Sequence, residues 1–264
     1  MNNNMVKQRF GGTERLYGTA GLAEFSRAHV CVVGIGGVGT WVAEGLVRSG
    51  IGAITIIDLD DICITNTNRQ IHALQNTIGT AKVDAMAERL KLINPHCTIN
   101  TIEDFVLPEN VATYITTTYS YVVDATDSIT AKCAIIAHCK RNKIPIITIG
   151  GAGGQVDPTQ ISVSDLTKTI QDPLATKLRN ELRRKHHFPK NTKRKFGVDC
   201  VFSSEQLRYP QGDGSVSHRK IRHNSGVKLD CETGFGASVA VTATFGFVAV
   251  SKVLDKILTK NNVV

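Results

Sequence analysis

A run of glycines between an apolar segment and a helical segment carries the clearest chemical signal in the sequence. Residues 30–33 predict a buried strand, the motif Gly34-x-Gly-Gly-x-Gly39 follows, and residues 40–48 continue as a helix. Such a turn lets the backbone approach a phosphate, and the helix N-terminus offers unpaired N–H groups and the positive end of its dipole. Asp58 closes a second apolar run, where a carboxylate can accept a hydrogen bond from a ribose hydroxyl. This half of the chain is therefore predicted to bind a nucleotide, although a tight turn made for packing alone is the alternative.

Further polar residues indicate which nucleotide fits. They are Asn68, Arg69, Lys82 and Asp127. A dinucleotide has two bridging phosphates and needs little compensating charge, whereas a triphosphate with its metal needs several cations and a carboxylate. The pattern therefore favours ATP over a nicotinamide cofactor. The structural alternatives are a solvated Lys82 and an Asp127 that only caps the helix starting near Ser128.

Alternating strands and helices must position these residues. Strands are predicted at 30–33, 53–57, 98–102, 119–124 and 144–149, and helices at 40–48, 81–93 and 131–141, with a short helix after Pro108. This order predicts an α/β fold with a doubly wound, Rossmann-like, mostly parallel sheet and helices on both faces. Ligands of such sheets bind at the carboxyl ends of the strands, where Asp58, Asp124, Asp127 and the glycine loop 150–154 fall.

The second half of the chain is less regular and is expected to continue the same structural unit. It predicts strands at 160–163 and 197–203, a helix from Pro173, a loop at 210–217, and a glycine-rich turn followed by a buried helix within 233–250. We expect one unit over 1–264, with an N-terminal arm at 1–22, an ATP-binding half at 23–155, and a substrate-binding and dimerisation half at 156–264.

The formal net charge of +8 is concentrated in one region. Residues 177–195 contain nine Lys or Arg against one Glu181, and a smaller cluster follows at 219–228. Localised positive charge is typical of nucleic-acid binding, because cations that meet phosphates release counterions. A solvated helix face is the alternative. The candidate nucleic-acid-binding residues are Arg183, Arg184, Lys185, Lys193, Arg194 and Lys195.

The cysteines and the apolar segments indicate a cytoplasmic protein. The chain has seven cysteines and no Cys-x-x-Cys pair, which favours reduced, mostly buried thiols over disulfides or a four-thiolate zinc site. Cys200 and Cys231 are candidate thiol sites, with burial in a strand the commoner outcome. The uncharged stretch 233–250 approaches the length of a membrane span but is diluted by Gly, Ser and Thr. We expect no membrane span, and a peripheral membrane contact is left open.

Taken together, these motifs resemble the ubiquitin-activating-enzyme-like superfamily, which includes the bacterial adenylyltransferases of sulfur-carrier proteins. The resemblance is carried by Gly34-x-Gly-Gly-x-Gly39, Asp58-x-Asp60, Asn68-Arg69-Gln70, Lys82 and Ala125-Thr126-Asp127. Segments 9–18, 66–74, 150–160, 197–203 and 242–250 are similar to the bacterial tRNA threonylcarbamoyladenosine dehydratases, a branch of this superfamily.

The resemblance implies adenylation of a carboxylate by ATP. In the dehydratase branch this is the threonyl carboxylate of threonylcarbamoyladenosine beside the anticodon of tRNA, and intramolecular attack then closes a ring with loss of water. Gly34, Gly36, Gly37 and Gly39 would approach the phosphates, Asp58 would hold the ribose, Asn68, Arg69 and Lys82 would neutralise the triphosphate, and Asp127 would hold Mg²⁺. Arg15 matches an arginine that reaches the ATP of the partner subunit, which implies a homodimer.

Two other functions remain open at this point. A sulfur-carrier adenylyltransferase belongs to the same superfamily, but its members commonly carry paired Cys-x-x-Cys zinc motifs, which this sequence lacks. A sulfurtransferase-type protein partner is also left open. An NAD-dependent oxidoreductase or a nucleotide-sensing protein would bind NAD(H) and release no AMP.

Overall fold

Short apolar segments form the strands of one central sheet. In the computed structural model, which describes residues 3–219, 235–261 and 263, these strands are β1 His29–Val33, β2 Ala53–Ile57, β3 Thr98–Ile102, β4 Tyr121–Asp124, β5 Ile146–Ile149, β6 Ile161–Asp165 and β7 Asp199–Ser203. The short strands β8 Tyr209–Pro210 and β9 Val216–Ser217 pair separately. The helices are α1 Asn3–Arg27, α2 Gly39–Arg48, α3 Lys82–Ile93, α4 Val111–Tyr114, α5 Ile129–Arg141, α6 Pro173–Lys185 and α7 Val239–Lys260.

The sheet has the order β3-β2-β1-β4-β5-β7-β6. All neighbouring strands are parallel except β6, which runs antiparallel to β7 at one edge. Alternate strand residues face two apolar cores, one under α2, α3 and α7 and the other under α5 and α6. The prediction of a doubly wound, mostly parallel α/β sheet is therefore confirmed. The chain reverses its winding between β1 and β4, and such a switch point forms a ligand crevice at the carboxyl edge.

Helices α2 and α7 pack closely through glycines. A Cβ on Gly45 would lie 2.9 Å from Cγ2 of Val250, and a Cβ on Gly246 would lie 2.7 Å from Cβ of Trp41. The absence of side chains at these two positions lets the helix axes approach. The helix predicted within 233–250 therefore begins at Val239 and is buried on one side. None of the helices in the described part of the chain combines the length and apolarity that a membrane span requires.

The N-terminal segment differs from the predicted arm. Residues 3–27 are helical with a kink at Gly18, where φ is 75°. Phe10 and Leu22 are buried, and both lie near Gly50, so this segment contributes to the interior. The glycines at 11 and 12 suggested a broken segment, but tertiary packing outweighs their weak helix propensity.

Two other predictions concern the second half. The loop predicted at 210–217 contains the small β8–β9 hairpin, because its Gly, Ser and Asp residues form the turn between two short strands. Cys231 and most of the second basic cluster, from Lys220 onwards, lie outside the described residues.

Candidate nucleotide-binding and catalytic site

The glycines of the β1–α2 turn have two different structural roles. Gly34 has φ 89°, and a Cβ there would lie 2.8 Å from the carbonyl of Ala125. A Cβ on Gly39 would collide with the carbonyl oxygen of Gly34, so these two positions close the turn. By contrast, a Cβ on Gly36 would meet only the Gln70 amide among the described residues, at 4.0 Å. Gly36 is therefore the position of the turn left open to a phosphate.

Asp58 and Lys82 meet directly beside this turn. The Asp58 carboxylate accepts hydrogen bonds from the backbone N–H groups of Ile35 at 2.6 Å and Asp60 at 3.0 Å. The Lys82 ammonium lies 3.7 Å from Asp58 Oδ1 and 2.7 Å from Asp60 Oδ2. Its side chain is only 8% exposed, which excludes the solvated lysine that was the alternative. Asp58, directly after β2, and Lys82, the first residue of α3, are thus held side by side.

Asn68 and Arg69 lie above the same turn. The Arg69 guanidinium donates to the Asn68 side-chain oxygen and to the carbonyl of Thr65, both at 2.9 Å. A Cβ on Gly37 would lie 3.2 Å from Arg69 Cγ, so the arginine stem covers this glycine. The Trp41 indole donates to the Arg69 carbonyl at 3.0 Å. The cation is therefore held close to the turn by contacts with its neighbours.

Asp127 follows β4 and has a free carboxylate. The helix α5 is capped by Ser128, whose hydroxyl accepts from the backbone N–H of Ala131, so the capping alternative for Asp127 is wrong. Asp127 is exposed and forms no hydrogen bond or ion pair with any residue in the described ranges. Within those ranges no cluster of three or more His, Cys, Asp or Glu side chains could hold a metal. A lone carboxylate fits a cation such as Mg²⁺ that takes its other ligands from phosphates and water.

A fully buried ion pair supports the loop that carries Asp127, and sequence reasoning missed it. The Lys132 ammonium lies 3.1 Å from Asp124 Oδ2, and the Thr148 hydroxyl donates to the same oxygen at 2.6 Å. The other oxygen of Asp124 accepts from the backbone N–H and the hydroxyl of Thr126. The carboxylate therefore fixes the turn one residue before Asp127. The available signal was a lysine on the apolar face of the predicted helix.

Buried polar atoms beside the glycine turn and the glycine loop 150–154 form a second group that the sequence did not reveal. His72 donates from Nε2 to the carbonyl of Ile35 at 3.1 Å, and burial lowers the pKa of this imidazole to about 4. The buried atoms Gln70 Oε1, His72 Nδ1 and Gln155 Oε1 have no hydrogen-bond partner in the described structure. Buried polar groups usually have partners, so these atoms indicate a place where a ligand or water can bind.

The glycine loop 150–154 connects the site to the second half of the chain. Gly154 N–H donates to the Gly236 carbonyl at 2.7 Å, and the Asn68 amide donates to the Ala237 carbonyl at 3.0 Å. Residues 235–238 therefore join the glycine loop to the loop that carries Asn68. Cys200 lies in β7 and is buried, and burial raises the pKa of its thiol, so it is a core residue here.

Arg15 is not part of the site in its own chain. The helix α1 packs at the far end of α7, where a Cβ on Gly21 would lie 3.4 Å from Leu258 and Asn261 donates to Glu24 at 2.8 Å. The other end of α7 begins beside Ala237 at the site, and its 22 residues span about 33 Å. Before the kink at Gly18, Arg9 donates to the Ile93 carbonyl at the end of α3 and Phe10 lies near Gly50, so both parts of α1 pack at this end. Exposed Arg15 lies between them and is therefore on the side of the molecule remote from Asn68.

The predicted basic residues also lie away from the glycine turn. The helix α6 begins at the carboxyl edge of the sheet, where its cap Asp172 accepts from Gly151 N–H at 2.9 Å, and it runs toward the other edge. The segment after α6 enters β7 at that opposite edge, where the Gly197 carbonyl accepts from Lys140. The candidate nucleic-acid-binding residues are thus grouped together, but at the edge remote from the ATP-site candidates.

These six residues differ in their environments. Arg183 lies 5.2 Å over the ring of Phe196 and donates to the Pro189 carbonyl, so part of its role is structural. Arg184 and Lys185 pair with Glu181 at 2.6 and 3.0 Å. Lys193, Arg194 and Lys195 are exposed and form no ion pair with any residue that the structure describes.

Comparison with known proteins places this geometry in a family. The sequence model of the ThiF family matches residues 13–264. The chain is 60% identical over 254 residues to the tRNA threonylcarbamoyladenosine dehydratase of Escherichia coli, covering 96% of this chain and 95% of that protein. It is 54% identical over 256 residues to the Haemophilus influenzae enzyme of the same name, with 97% and 95% covered.

A solved structure supports the same relationship. The E. coli tRNA N6-threonylcarbamoyladenosine dehydratase in complex with ATP superimposes with a TM-score of 0.87 and 57% identity, covering 97% of this chain and 96% of that one. The chain therefore belongs to the ThiF family, in the group of the tRNA threonylcarbamoyladenosine dehydratases.

Proposed function

We propose that this protein is an ATP-dependent tRNA threonylcarbamoyladenosine dehydratase that activates the threonyl carboxylate by adenylation. The 60% identity to an enzyme of that name over nearly the whole chain carries the proposal. The convergence of Asp58, Lys82, Asn68 and Arg69 on the open part of one glycine turn supports it, because this set can hold a ribose and neutralise phosphates.

In the first step a threonyl carboxylate oxygen attacks the α-phosphorus of ATP, and pyrophosphate leaves. In the second step the carbamoyl nitrogen or oxygen of the same side chain attacks the activated carbonyl carbon. The carbon–oxygen bond to AMP breaks, AMP leaves with the bonding electrons, and the carbamoyl group loses a proton. The nucleoside has then lost the elements of one water. Because the attack is intramolecular, proximity supplies much of its rate.

The residues of the site have distinct roles in this proposal. Each oxygen of a carboxylate offers two lone pairs, so Asp58 can still accept from a ribose hydroxyl while it holds Ile35 and Asp60. Arg69 and Lys82 compensate the charge that develops on the α-phosphoryl group. Asp127 would hold Mg²⁺, which supplies further charge neutralisation on the phosphate oxygens.

The central test measures AMP release from ATP by the purified protein. Three reactions contain tRNA with threonylcarbamoyladenosine, the same tRNA without the modification, and no tRNA, and the digested nucleosides are examined by mass spectrometry. We expect AMP only with the modified tRNA, together with loss of one water from that nucleoside. AMP release that instead requires a carrier protein ending in Gly-Gly would contradict the substrate and favour a sulfur-carrier adenylyltransferase.

Single variants test the site residues. Asp127→Asn and Arg69→Ala should abolish AMP formation without lowering the melting temperature by more than a few degrees, because neither side chain is part of a core. The matched control is Asp255→Asn, since Asp255 is an exposed aspartate on α7 away from the site. Undiminished turnover in Asp127→Asn would remove the metal role.

The protein is further proposed to act as a homodimer in which Arg15 serves the partner subunit. Arg15 lies on the side of its own chain remote from Asn68. The ATP phosphates that its guanidinium contacts are therefore those bound by a second copy of the chain. Arg15→Ala and Arg69→Ala should each be inactive alone, whereas a co-expressed mixture should regain part of the activity through dimers with one intact site. A mixture as inactive as the single variants would exclude action in trans.

A cytoplasmic location is part of the proposal. Its support is the RNA substrate and the buried reduced thiols, which include Cys31, Cys97, Cys133, Cys139 and Cys200. The structure offers no support for a thiol-transferring partner at Cys200, because that side chain is buried.

A further inference from the structure

A cleft of about 480 Å³ opens beside the start of α6 and is not used by the proposed ATP site. Its lining residues include Gln171, Thr176, Lys177, Gln206, Tyr209 and His218. The volume falls within the range typical of small-molecule sites, roughly 300 to 1,000 Å³. The cleft is therefore large enough for one nucleoside.

The cleft lies at the same edge of the sheet as the glycine turn. Asp172, the cap of α6 and part of the cleft wall, accepts from Gly151 N–H immediately after β5. Strands β5 and β7 are two and three positions from β1 in the sheet. With strands about 4.8 Å apart, the cleft is on the order of 10–14 Å from the glycine turn. Asp127, which follows β4, lies between the two.

Some polar groups of the cleft are engaged within the fold, and others are free to bind a ligand. The Thr176 hydroxyl donates to the Asp172 carbonyl at 2.8 Å, and the His218 ring bonds to the Leu207 carbonyl at 3.1 Å. The Asp172 carboxylate is committed to the N–H groups of Ala175 and Gly151. The side chains of Gln171, Gln206 and Lys177 are exposed and form no hydrogen bond with other residues in the described ranges. An amide offers both donors and an acceptor, which suits the edge of a nucleobase, and a lysine suits a neighbouring phosphate.

An aromatic surface completes this chemistry. The ring centroids of Tyr209 and Phe235 are 5.3 Å apart with a tilt of 53°, and Phe235 is 40% exposed. A cleft with an aromatic wall, two amides and a lysine matches the way proteins bind an unstacked RNA base, by stacking and by hydrogen bonds to its edge.

The backbone of Gln171 is strained in a way that points to its side chain. Its φ is 54°, in the left-handed region that glycine adopts readily and a glutamine only with strain. Strain of this kind often marks a functional position. The Gln171 amide forms no hydrogen bond with any described residue. No contact of this side chain within the fold therefore compensates the backbone strain.

We propose that this cleft holds the modified purine of the tRNA substrate, flipped out of the anticodon loop, with its N6 substituent directed toward the glycine turn. The inference rests on the proposed function and names the subsite for the reacting nucleoside. The substituent spans about 5 Å from N6 to the carboxyl carbon. The purine ring, this substituent and the α-phosphoryl group together bridge the distance between cleft and turn. Gln171 and Gln206 bind the base edge, and Tyr209 forms the stacking surface.

The decisive variant is Gln171→Gly, because it removes the amide and relieves the positive φ at once. The measurement is kcat/KM for full-length modified tRNA, with KM for ATP and the melting temperature measured in parallel. We expect kcat/KM for tRNA to fall about tenfold, with KM for ATP unchanged and the melting temperature unchanged or higher. The control is Lys143→Gly, since Lys143 has φ 56° in the turn between α5 and β5, at the opposite edge.

Further variants separate base binding from phosphate binding. Tyr209→Ala should lower kcat/KM for tRNA at least fivefold, as expected for the loss of a stacked base, and Tyr209→Phe should restore it. Gln206→Ala should lower kcat/KM for tRNA as Gln171→Gly does and leave the salt dependence of tRNA binding unchanged. Lys177→Ala should flatten that salt dependence, because it removes a cation that meets a phosphate. If the wild type converts modified tRNA and Gln171→Gly, Gln206→Ala and Tyr209→Ala are equally active, the cleft assignment is wrong. If the wild type leaves modified tRNA unchanged, the proposed function fails and the assignment fails with it.

Discussion

His72 makes stability depend on pH. Burial lowers the pKa of His72 to about 4, below the value of 6.5 that it has when unfolded. The folded state therefore disfavours the proton, and the stability contributed by neutral His72 is complete above pH 6.5 and lost as the pH falls toward 4. The full loss amounts to about 3 kcal/mol.

The measurement that checks this is the melting temperature between pH 7 and pH 4.5, for the wild type and for His72→Gln. The glutamine amide can still donate to the Ile35 carbonyl but does not titrate in this range. We expect the wild type to lose more stability than the variant over this interval. Parallel curves would show that His72 does not control the acid sensitivity.

Lys132 is a second residue with a large expected effect. Lys132→Met should lower the free energy of unfolding by about 3–5 kcal/mol, because Asp124 would be left as a buried charge without its partner. The double variant Asp124→Asn/Lys132→Met removes both charges and should recover much of this loss. Thermal unfolding of the single and double variants measures both effects. A single variant as stable as the wild type would contradict the buried ion pair.

At the residue scale, the sequence identifies candidate site residues more readily than the environments in which they lie. The glycines, Asp58, Asn68 and Arg69 were identifiable because each follows an apolar run or belongs to a motif. The burial of Lys82 between two carboxylates was not, since it depends on β2 and α3 meeting. The Asp124–Lys132 pair and His72 are visible only once the fold buries them.

At the scale of the element, the β1–α2 turn predicts contrasting effects of two similar substitutions. Gly39→Ala should strongly destabilise the protein, because its Cβ would collide with the Gly34 carbonyl oxygen. Gly36→Ala should leave the melting temperature nearly unchanged, because its Cβ has room, and should weaken ATP binding by occupying the space of a phosphate. Calorimetric titration with ATP and thermal unfolding measure the two properties separately. Full ATP affinity in Gly36→Ala would place the phosphates elsewhere.

The strands of the first half were predictable because buried parallel strands are short apolar runs bounded by polar or glycine-rich turns. The bounds of β2 and β3 agree with the prediction, and those of β1, β4 and β5 differ by one or two residues at their starts. The helix α1 was not predictable in the same way, since its glycines weaken the helical pattern and its stability depends on contacts such as Phe10 with Gly50. The pairing of β8 with β9 is likewise too short to give a periodic signal.

At the scale of the whole molecule, the charge distribution predicts how tRNA binding depends on individual residues. Alanine at Lys193, Arg194 and Lys195 should weaken tRNA binding and flatten its salt dependence while leaving ATP affinity unchanged. Alanine at Arg184 and Lys185 should have a smaller effect, because Glu181 already compensates part of their charge. Binding measured at several salt concentrations checks this order. Equal tRNA affinity in the triple variant would remove this surface from the interface.

The sequence showed that the basic residues cluster but could not show where the cluster lies. Its position at the edge remote from the glycine turn depends on β7 entering the sheet beside β5, which periodicity does not specify. A tRNA that contacts both the basic cluster and the glycine turn must therefore extend from one edge of the sheet to the other. Alternatively, it contacts the basic cluster of one copy and the glycine turn of a second copy.

The close packing of α2 against α7 has a consequence for how the protein is made. The helix that follows the glycine turn is synthesised early, but Gly45 packs on Val250 and Gly246 packs on Trp41, partners about three quarters of the chain apart. During translation the apolar face of α2 stays uncovered until α7 has left the ribosome, and contacts so distant in sequence form slowly. The first residues of the nucleotide site therefore leave the ribosome early, but the site completes its folding only after α7 has been made. Nascent chains that end before α7 should be preferred substrates of chaperones and proteases.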